Sequence, residues 1–498
     1  MNDKAKLALK VIVASLALGA LGDGLLRATP WGINVPLWTG LLVIVILVFA
    51  FAHRVPLSPK AAWMAGPILA SACGILWRDS LVLNCLAFLA LCVSLALASW
   101  YARWGMVAVG ALSEQLWRFF LAVFNAVVGF VPFGAGGIAW PEPPPEGRWR
   151  PARAAGVGVL LAVPLLLLFG SLFMSADAVF NKLVRDVVQI DFTNLLSHLL
   201  VAAVCAWGVA GYLHGLLVKE KSAERPLTVA QFCSLGRVEV NVALGLLSLL
   251  FLAFIVVQLR YLFGGAHLIE VTPGLTYAEY ARRGFFELVA VAVLALPLLL
   301  AADWLLATAG KRLFRVQATA LVLMLGVVMA SAVQRMRLYQ DAFGQTELQL
   351  YVTAFMGWLA VVFVCFSATV LRGRREHFAF PSLVAGFLAI VGLHVLNPDD
   401  FIARTNLQRA QAGRPFDANY VASLSADAFP ALLNALANLK PEDQRLVAGR
   451  LRRWQSKQTA DWRTWNRSRA LALAAIVSNQ AVIDRLAPET TPQNENAR

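Results

Sequence analysis

Apolar stretches of about twenty residues recur along most of this chain, and no other feature limits its fold so strongly. An α-helix rises about 1.5 Å per residue, so roughly 20 residues cross about 30 Å of hydrocarbon with every backbone donor and acceptor satisfied inside the segment. The stretches fall at 8–26, 37–54, 61–77, 80–100, 154–174, 194–217, 240–263, 284–306, 314–334, 350–371 and 379–396. The expected fold is therefore all-α, a polytopic helical membrane protein with about 11 transmembrane helices and a C-terminal soluble helical tail. With 59% hydrophobic and 14% charged residues among 498, the chain carries more apolar surface than one globular core can hide. Fifteen Trp and twenty-nine Phe suit the headgroup boundary, where aromatic rings gather.

Basic residues collect in cytoplasmic loops during insertion, so a net charge of +14 does not argue for nucleic acid. Membrane lipids are the expected partners. With the N-terminus in the cytoplasm, the inner loops hold Arg54 and Lys60, then Arg148, Arg150 and Arg153, then Lys219, Lys221, Arg225 and Arg237, then Lys311, Arg312 and Arg315, and last Arg372, Arg374 and Arg375. That alternation is consistent, and with eleven spans it makes the tail periplasmic. Met1–Leu21 reads as an uncleaved first helix rather than a secretory signal. Val107–Phe133 is apolar, but a crossing there would put every later basic cluster outside; it is read as interfacial or re-entrant.

Pro141-Glu142-Pro143-Pro144-Pro145 cannot continue a helix and marks an extended linker. The expected division is residues 1–131, an N-terminal membrane part of about four spans plus an interfacial helix; 132–153, a Pro-rich cytoplasmic linker; 154–396, a second membrane part of about seven spans; 397–486, the helical tail; and 487–498, disordered. Asp177–Ile190 carries the apolar stripe of an amphipathic helix on the outer membrane surface. In the tail, Asn397-Pro398-Asp399-Asp400 closes the last span, and Ser425, Pro441 and Asp461 start helices at about 426–439, 441–457 and 462–486.

Several stretches together resemble a known family. They include Gly22-Asp23 through Pro30-Trp31-Gly32-Ile33-Asn34, Trp77-Arg78-Asp79, and Phe169-Gly170 through Asp177. Further along come Gly274 through Glu287, Ser331 through Tyr351, Asn397 through Arg404 with Asn406, and Tyr420 through Pro430. In this order they are similar to the uncharacterised bacterial membrane group called domain of unknown function 4173 and its relative 4153. The resemblance implies a bacterial inner-membrane protein and no particular activity.

Chemistry has to be sought in the residues. Arg260, Arg282, Arg283, Arg335 and Arg337 sit at outer span ends, against the positive-inside tendency, beside Glu279, Glu287, Asp341 and Glu347. Glu279, Arg283 and Glu287 recur every four residues on one helical face, so each carboxylate can pair with the guanidinium between them. One outcome is a structural clasp between the seventh, eighth and ninth spans. The other leaves a guanidinium able to grip a phosphate or carboxylate, as an anionic lipid headgroup or envelope precursor would offer.

Asp23 and Asp79 are expected to cap helices or pair with Arg27 or Arg78 rather than carry protons, and Asp303 to meet Lys311 or Arg312. His394 is expected to be a satisfied core histidine. The interleaved Arg and Trp between Arg450 and Arg469 suit either helix packing within the tail or docking on anionic headgroups.

Six scattered Cys without a close CxxC pair argue against a disulfide framework and a zinc site. No metal, cofactor or catalytic residue is expected, since no GxxxxGK[ST], GxSxG or HExxH pattern occurs. The leading expectation is a noncatalytic envelope binding or signalling component that recognises an anionic lipid or precursor. A secondary transporter is the alternative, and a membrane enzyme on lipid-linked substrates, with Glu279 and Glu287 as its acid pair, is the third reading.

Overall fold

The computed structural model of the chain describes residues 3–53, 63–104, 192–214, 216, 237–263, 285–306 and 311–487. Among these, every regular element is helical. The N-terminal half contributes α1 (Asp3–Leu26), α2 (Asn34–Ala52), α3 (Ala65–Trp77), α4 (Leu81–Trp104) and α5 (Phe192–Leu213). Next come α6 (Arg237–Phe263), α7 (Phe285–Leu305), α8 (Lys311–Phe343), α9 (Glu347–Thr369) and α10 (Ala379–Leu396).

The membrane class follows from length and apolarity. Among the described residues, seven helices are long and apolar enough to cross a bilayer: α1, α2, α4, α5, α8, α9 and α10. Their outward faces carry large apolar side chains such as Val13, Leu47, Leu89, Leu323 and Val364, which only a hydrocarbon solvent accommodates in such number.

The described residues thus hold seven such helices, against the expected count of about 11 for the whole chain. The stretch expected at 61–77 forms only the 13-residue α3, about 20 Å long and too short to span. Helices α6 and α7 run for 27 and 21 residues, with apolar stretches at Val240–Val256 and Leu288–Trp304. The stretch 154–174, the interfacial segment Val107–Phe133, the linker 132–153, the amphipathic segment Asp177–Ile190 and residues 488–498 lie outside the described residues.

Packing divides the helices into two groups. In the first, α1, α2 and α5 share a core around Val11, Leu18, Leu42, Val209 and Leu213, while α2, α3 and α4 share another around Ile68, Ile75 and Leu91. Gly19 lets α1 and α5 approach closely, since a Cβ there would lie 2.6 Å from the Ala202 carbonyl oxygen. In the second group α6, α7, α8 and α9 bury Leu299, Phe314, Leu321, Leu325 and Phe366 together. Helix α10 joins the groups, touching α9 on one side and α3 and α4 on the other.

Asn397 ends α10 in the left-handed region, at φ 57°, and turns the chain straight into α11 (Pro398–Gln411). The sequence reading stops at this turn and misses α11. Its signals are nonetheless those of a helix start: Pro398 in the first turn, followed by Asp399 and Asp400 where the helix dipole favours negative charge.

After α11 come the short α12 (Ala418–Val421), a 3₁₀ turn at Ala426–Ala428, α13 (Phe429–Ala435), α14 (Pro441–Ser456), a 3₁₀ turn at Trp462–Thr464, α15 (Arg467–Ser478) and α16 (Gln480–Leu486). Ser425 and Asp461 each accept the backbone N–H two residues on, as N-cap side chains do. The helix expected at 462–486 is broken, because Asn466 caps α15 and Asn479 separates α15 from α16. These elements close their own core around Ile402, Phe429, Leu432, Val447, Leu451 and Ile476.

Candidate functional site

The C-terminal helices rest on one end of the membrane bundle, and the contact between them is polar and buried. Three connectors meet there: the α1–α2 loop, the α3–α4 loop at Arg78-Asp79-Ser80, and the α8–α9 turn at Gly344-Gln345-Thr346. The α10–α11 turn at Asn397 completes the set.

At the centre, Arg469 of α15 donates to Asp79 Oδ1 at 2.7 Å and to the Trp31 carbonyl at 2.9 Å. Arg78 sends Nε to the His394 carbonyl at 2.8 Å and lies 3.4 Å from Asp427 Oδ1. Asp427 Oδ2 accepts the Asp79 backbone N–H at 2.7 Å, and its Oδ1 accepts from the Ser468 hydroxyl. Asn397, its amide nitrogen turned to Asp427 Oδ1 at 3.2 Å, accepts from Arg78 Nη1 at 3.0 Å.

Backbone groups complete the seam. Asn466 uses its side-chain oxygen to cap α15 through the Ser468 and Arg469 N–H groups, and its amide nitrogen donates to the carbonyls of Ile75 and Arg78, each at 2.9 Å. Ile33 N–H donates to the Trp465 carbonyl at 2.8 Å. Gly32 makes this approach possible, because a Cβ there would lie 2.6 Å from the Thr464 carbonyl oxygen and closer still to that of Trp465.

A second polar layer lies beside the first. Asn406 of α11 exchanges two 2.8 Å hydrogen bonds with the backbone of Gln345. Tyr420 accepts the Glu347 backbone N–H at 2.8 Å through its hydroxyl, satisfying a group at the start of α9 that has no intrahelical partner. Tyr351 and Ser80 share a hydroxyl hydrogen bond at 3.1 Å. Asp399 accepts the Ser425 N–H at 3.2 Å.

Burial raises the Asp79 carboxyl above its ordinary range, although Arg469 and the Ala426 N–H act against the shift. Burial also pushes Asp399 up to about 6, with Glu347 and Asp427 adding to the rise and Ser425 opposing it. The Tyr420 phenol is pushed up to about 12, chiefly by burial.

The outer arginines expected to converge are placed as follows. Arg335 and Arg337 both lie on α8; Arg335 is buried and engaged by a partner, whereas Arg337 is exposed. Two residues apart on a helix is about 200° of rotation, so these two do not form one fork. Arg260 lies on α6 and Glu287 on α7, with side chains outside the described set, and Glu279, Arg282 and Arg283 lie outside the described residues.

Elsewhere, Asp303 meets Lys311 at 2.8 Å as expected. Asp23 faces Arg27 at 3.5 Å and also His198 at 2.5 Å, a partner that spacing does not reveal. Asp79 passes over its neighbour Arg78 in favour of Arg469. His394 is the half-satisfied case: Nδ1 bonds to the Ile390 carbonyl, but Nε2, buried against Gly74, has no partner among the described residues. No group of three or more metal-ligating side chains occurs among the described residues.

Fold and junction together define a helical integral membrane protein with a C-terminal helical unit seated on the ends of its membrane helices. The chain belongs to the family described as Domain of unknown function (DUF4153), whose model matches residues 65–435. The matching model is thus that of the expected relative rather than of the 4173 group. Comparison with curated proteins and with solved structures gave no match.

The match takes in Arg78, Asp79, Glu347, Asn397, Asp399, Asn406 and Asp427, and ends before Asn466 and Arg469. Most of these stretches stand out in the sequence as separate signatures. Their common destination at one seam does not, because the partners are hundreds of residues apart.

Proposed function

We propose that this protein is a noncatalytic binding or signalling component of the bacterial inner membrane, with its C-terminal helical unit on the periplasmic side. The observation that carries this reading is the Asp79–Arg469 and Asp427–Arg78 network between that unit and the membrane helices. A buried ionic network is costly when half made, so it favours two discrete arrangements, docked and undocked, over gradual deformation. Such a junction suits passing a binding event from one side of the seam to the other.

An anionic lipid headgroup or envelope precursor is the proposed ligand. In support, exposed Arg337 and Arg467 and the partly exposed Arg463 are joined at this end by Trp462 and Trp465, both largely exposed beside the first residues of α2. Cations interleaved with indoles suit an anionic headgroup layer. Periplasmic placement is supported by Lys311, Arg312, Arg315, Arg372, Arg374 and Arg375, which sit at the opposite ends of α8 and α9 from the junction.

Native mass spectrometry of the detergent-extracted protein tests the ligand. Wild type should retain an anionic lipid that an Arg337→Ala, Arg467→Ala variant loses by tenfold or more. Equal retention would remove the anionic ligand from this end. Cysteine labelling at Ser456 in intact cells tests the side, and protection from an impermeant reagent would overturn it.

A further inference from the structure

Helix α15 is apolar almost all the way round. Residues 470–477, from Ala470 to Val477, are all apolar, whereas α14 beside it turns Glu442, Arg445, Arg450 and Arg453 outward. One arc of α15 packs inward: Ser468 and Arg469 are buried at the seam, Ala472 and Ile476 in the C-terminal core. Successive residues turn by about 100°, so the opposite arc runs from Leu473 through Val477 and Ala474 to Leu471. Leu471, Leu473 and Val477 are 52%, 37% and 58% exposed there. Polar side chains stand on this arc only at the two ends of the helix, Arg467 at its first residue and Ser478 at its last. A helix that is apolar on every side calls for apolar surroundings on every side, and the C-terminal core supplies them on one side only.

The place where α15 begins identifies what covers the outer arc. Trp465 accepts the N–H of Ile33, the residue before the membrane-crossing helix α2. Asn466 and Ser468 donate to the carbonyls of Ile75, Trp77 and Arg78 at the end of α3. The first turn of α15 therefore lies level with the ends of the membrane helices, where hydrocarbon gives way to headgroups. Trp462 and Trp465 are exposed at that level, with Arg463 and Arg467 beside them. Indoles and cations flanking an apolar helix face are the composition of a helix that lies in the interface.

We propose that α15 is an interfacial helix whose Leu471, Leu473, Ala474 and Val477 are sunk among the acyl chains, so that the partner of this surface is the bilayer itself. The eight apolar residues extend about 12 Å, and such helices bury their apolar face about 5–10 Å into the headgroup and acyl boundary. The C-terminal unit is then held in two ways: by the polar seam on the ends of the helices, and by lipid beside it. Apolar burial needs no lipid charge, so this surface is separate from the anionic ligand proposed above and stands without it.

Photolabelling of the wild-type, full-length protein in nanodiscs reads the contact directly. The probe is phosphatidylcholine carrying a diazirine within an acyl chain, and the adducts are mapped by peptide mass spectrometry. Residues 470–477 should carry at least five times the label of α14, and Leu471→Glu, Val477→Glu should lower that label at least fivefold while α9 stays unchanged. Both substitutions fall on exposed positions, and the comparison of α15 with α14 needs no variant. Equal labelling of α14 and α15 in wild type would overturn the proposal. So would a segment free of label in nanodiscs whose native mass shows two copies of the chain, which would assign the arc to a protein contact. Nanodiscs of phosphatidylcholine alone and with phosphatidylglycerol separate apolar insertion from headgroup charge: labelling should persist in both, and its loss without phosphatidylglycerol would overturn insertion.

Discussion

Arg469 Nη1 lies 2.7 Å from Asp79 Oδ1, an ion pair that closes a separation of 390 residues and seats the last long helix of the chain on the third connector from the N-terminus. Both side chains are largely buried, at 9% and 15% exposure, so their charges are desolvated together. Removing one strands the other, which typically costs about 3–5 kcal/mol. Arg469→Met should lower stability by that order in thermal unfolding of the detergent-solubilised protein. The Asp79→Asn, Arg469→Met double variant should recover part of the loss. Equal loss in single and double variants would show that the packing of Arg469, not its charge, is what matters.

Gly32 and Gly40 offer a matched pair. A methyl group at Gly32 meets the carbonyls of Thr464 and Trp465, whereas nothing stands within 4 Å of a Cβ at Gly40. Gly32→Ala should destabilise the seam by about 1–3 kcal/mol through overpacking against backbone. Limited proteolysis should then cut faster between Lys457 and Asn466, while Gly40→Ala remains at the wild-type rate.

Asn466 performs two jobs with one amide. Its oxygen caps α15, and its nitrogen ties α15 to the carbonyls at the end of α3. Loss of an N-cap costs about 1 kcal/mol, and each hydrogen bond contributes about as much again. Asn466→Ala should thus cost roughly 2–3 kcal/mol and raise hydrogen exchange in the first turn of α15. Asn466→Asp should keep the cap but lose both donors, so an effect as small as that of a surface substitution would refute the cross-seam role.

The pH dependence has a definite sign. Asp399 carries a folded value of about 6 against an ordinary value of 3.8, so the folded state holds its proton more tightly than the unfolded state. Its contribution to stability is greatest below about pH 4, declines as pH rises through the interval to about 6, and is flat above it. The decline amounts to about 3 kcal/mol, because each tenfold difference in proton affinity between the two states is worth about 1.4 kcal/mol. Thermal midpoints of Asp399→Asn should therefore lose that decline between pH 4 and 6, and a wild-type midpoint that rises with pH in the same window by virtue of Asp399 would contradict the sign.

Legibility in the sequence followed the range of the forces involved. Apolar length is a local property, so the membrane helices could be read directly: α2, α4, α9 and α10 lie where the apolar stretches are. Ser425 and Asp461 were readable as caps because a cap acts within three residues, and Lys311 with Asp303 because eight residues separate them. The α11 helix was missed although Pro398, Asp399 and Asp400 signalled it, because Asn397 looked like an end and not a turn.

By itself, then, the sequence determined that this chain carries helices long and apolar enough to cross a bilayer, followed by a capped, amphipathic helical segment, since both depend on neighbours along the chain. Tertiary structure alone decided that Asp79 chooses Arg469 over the adjacent Arg78 and that His198 meets Asp23. Partner choice among charges is settled by burial and distance in space. Helices α9 and α11, α3 and α15 bring together groups whose separation along the chain says nothing of their separation in the fold.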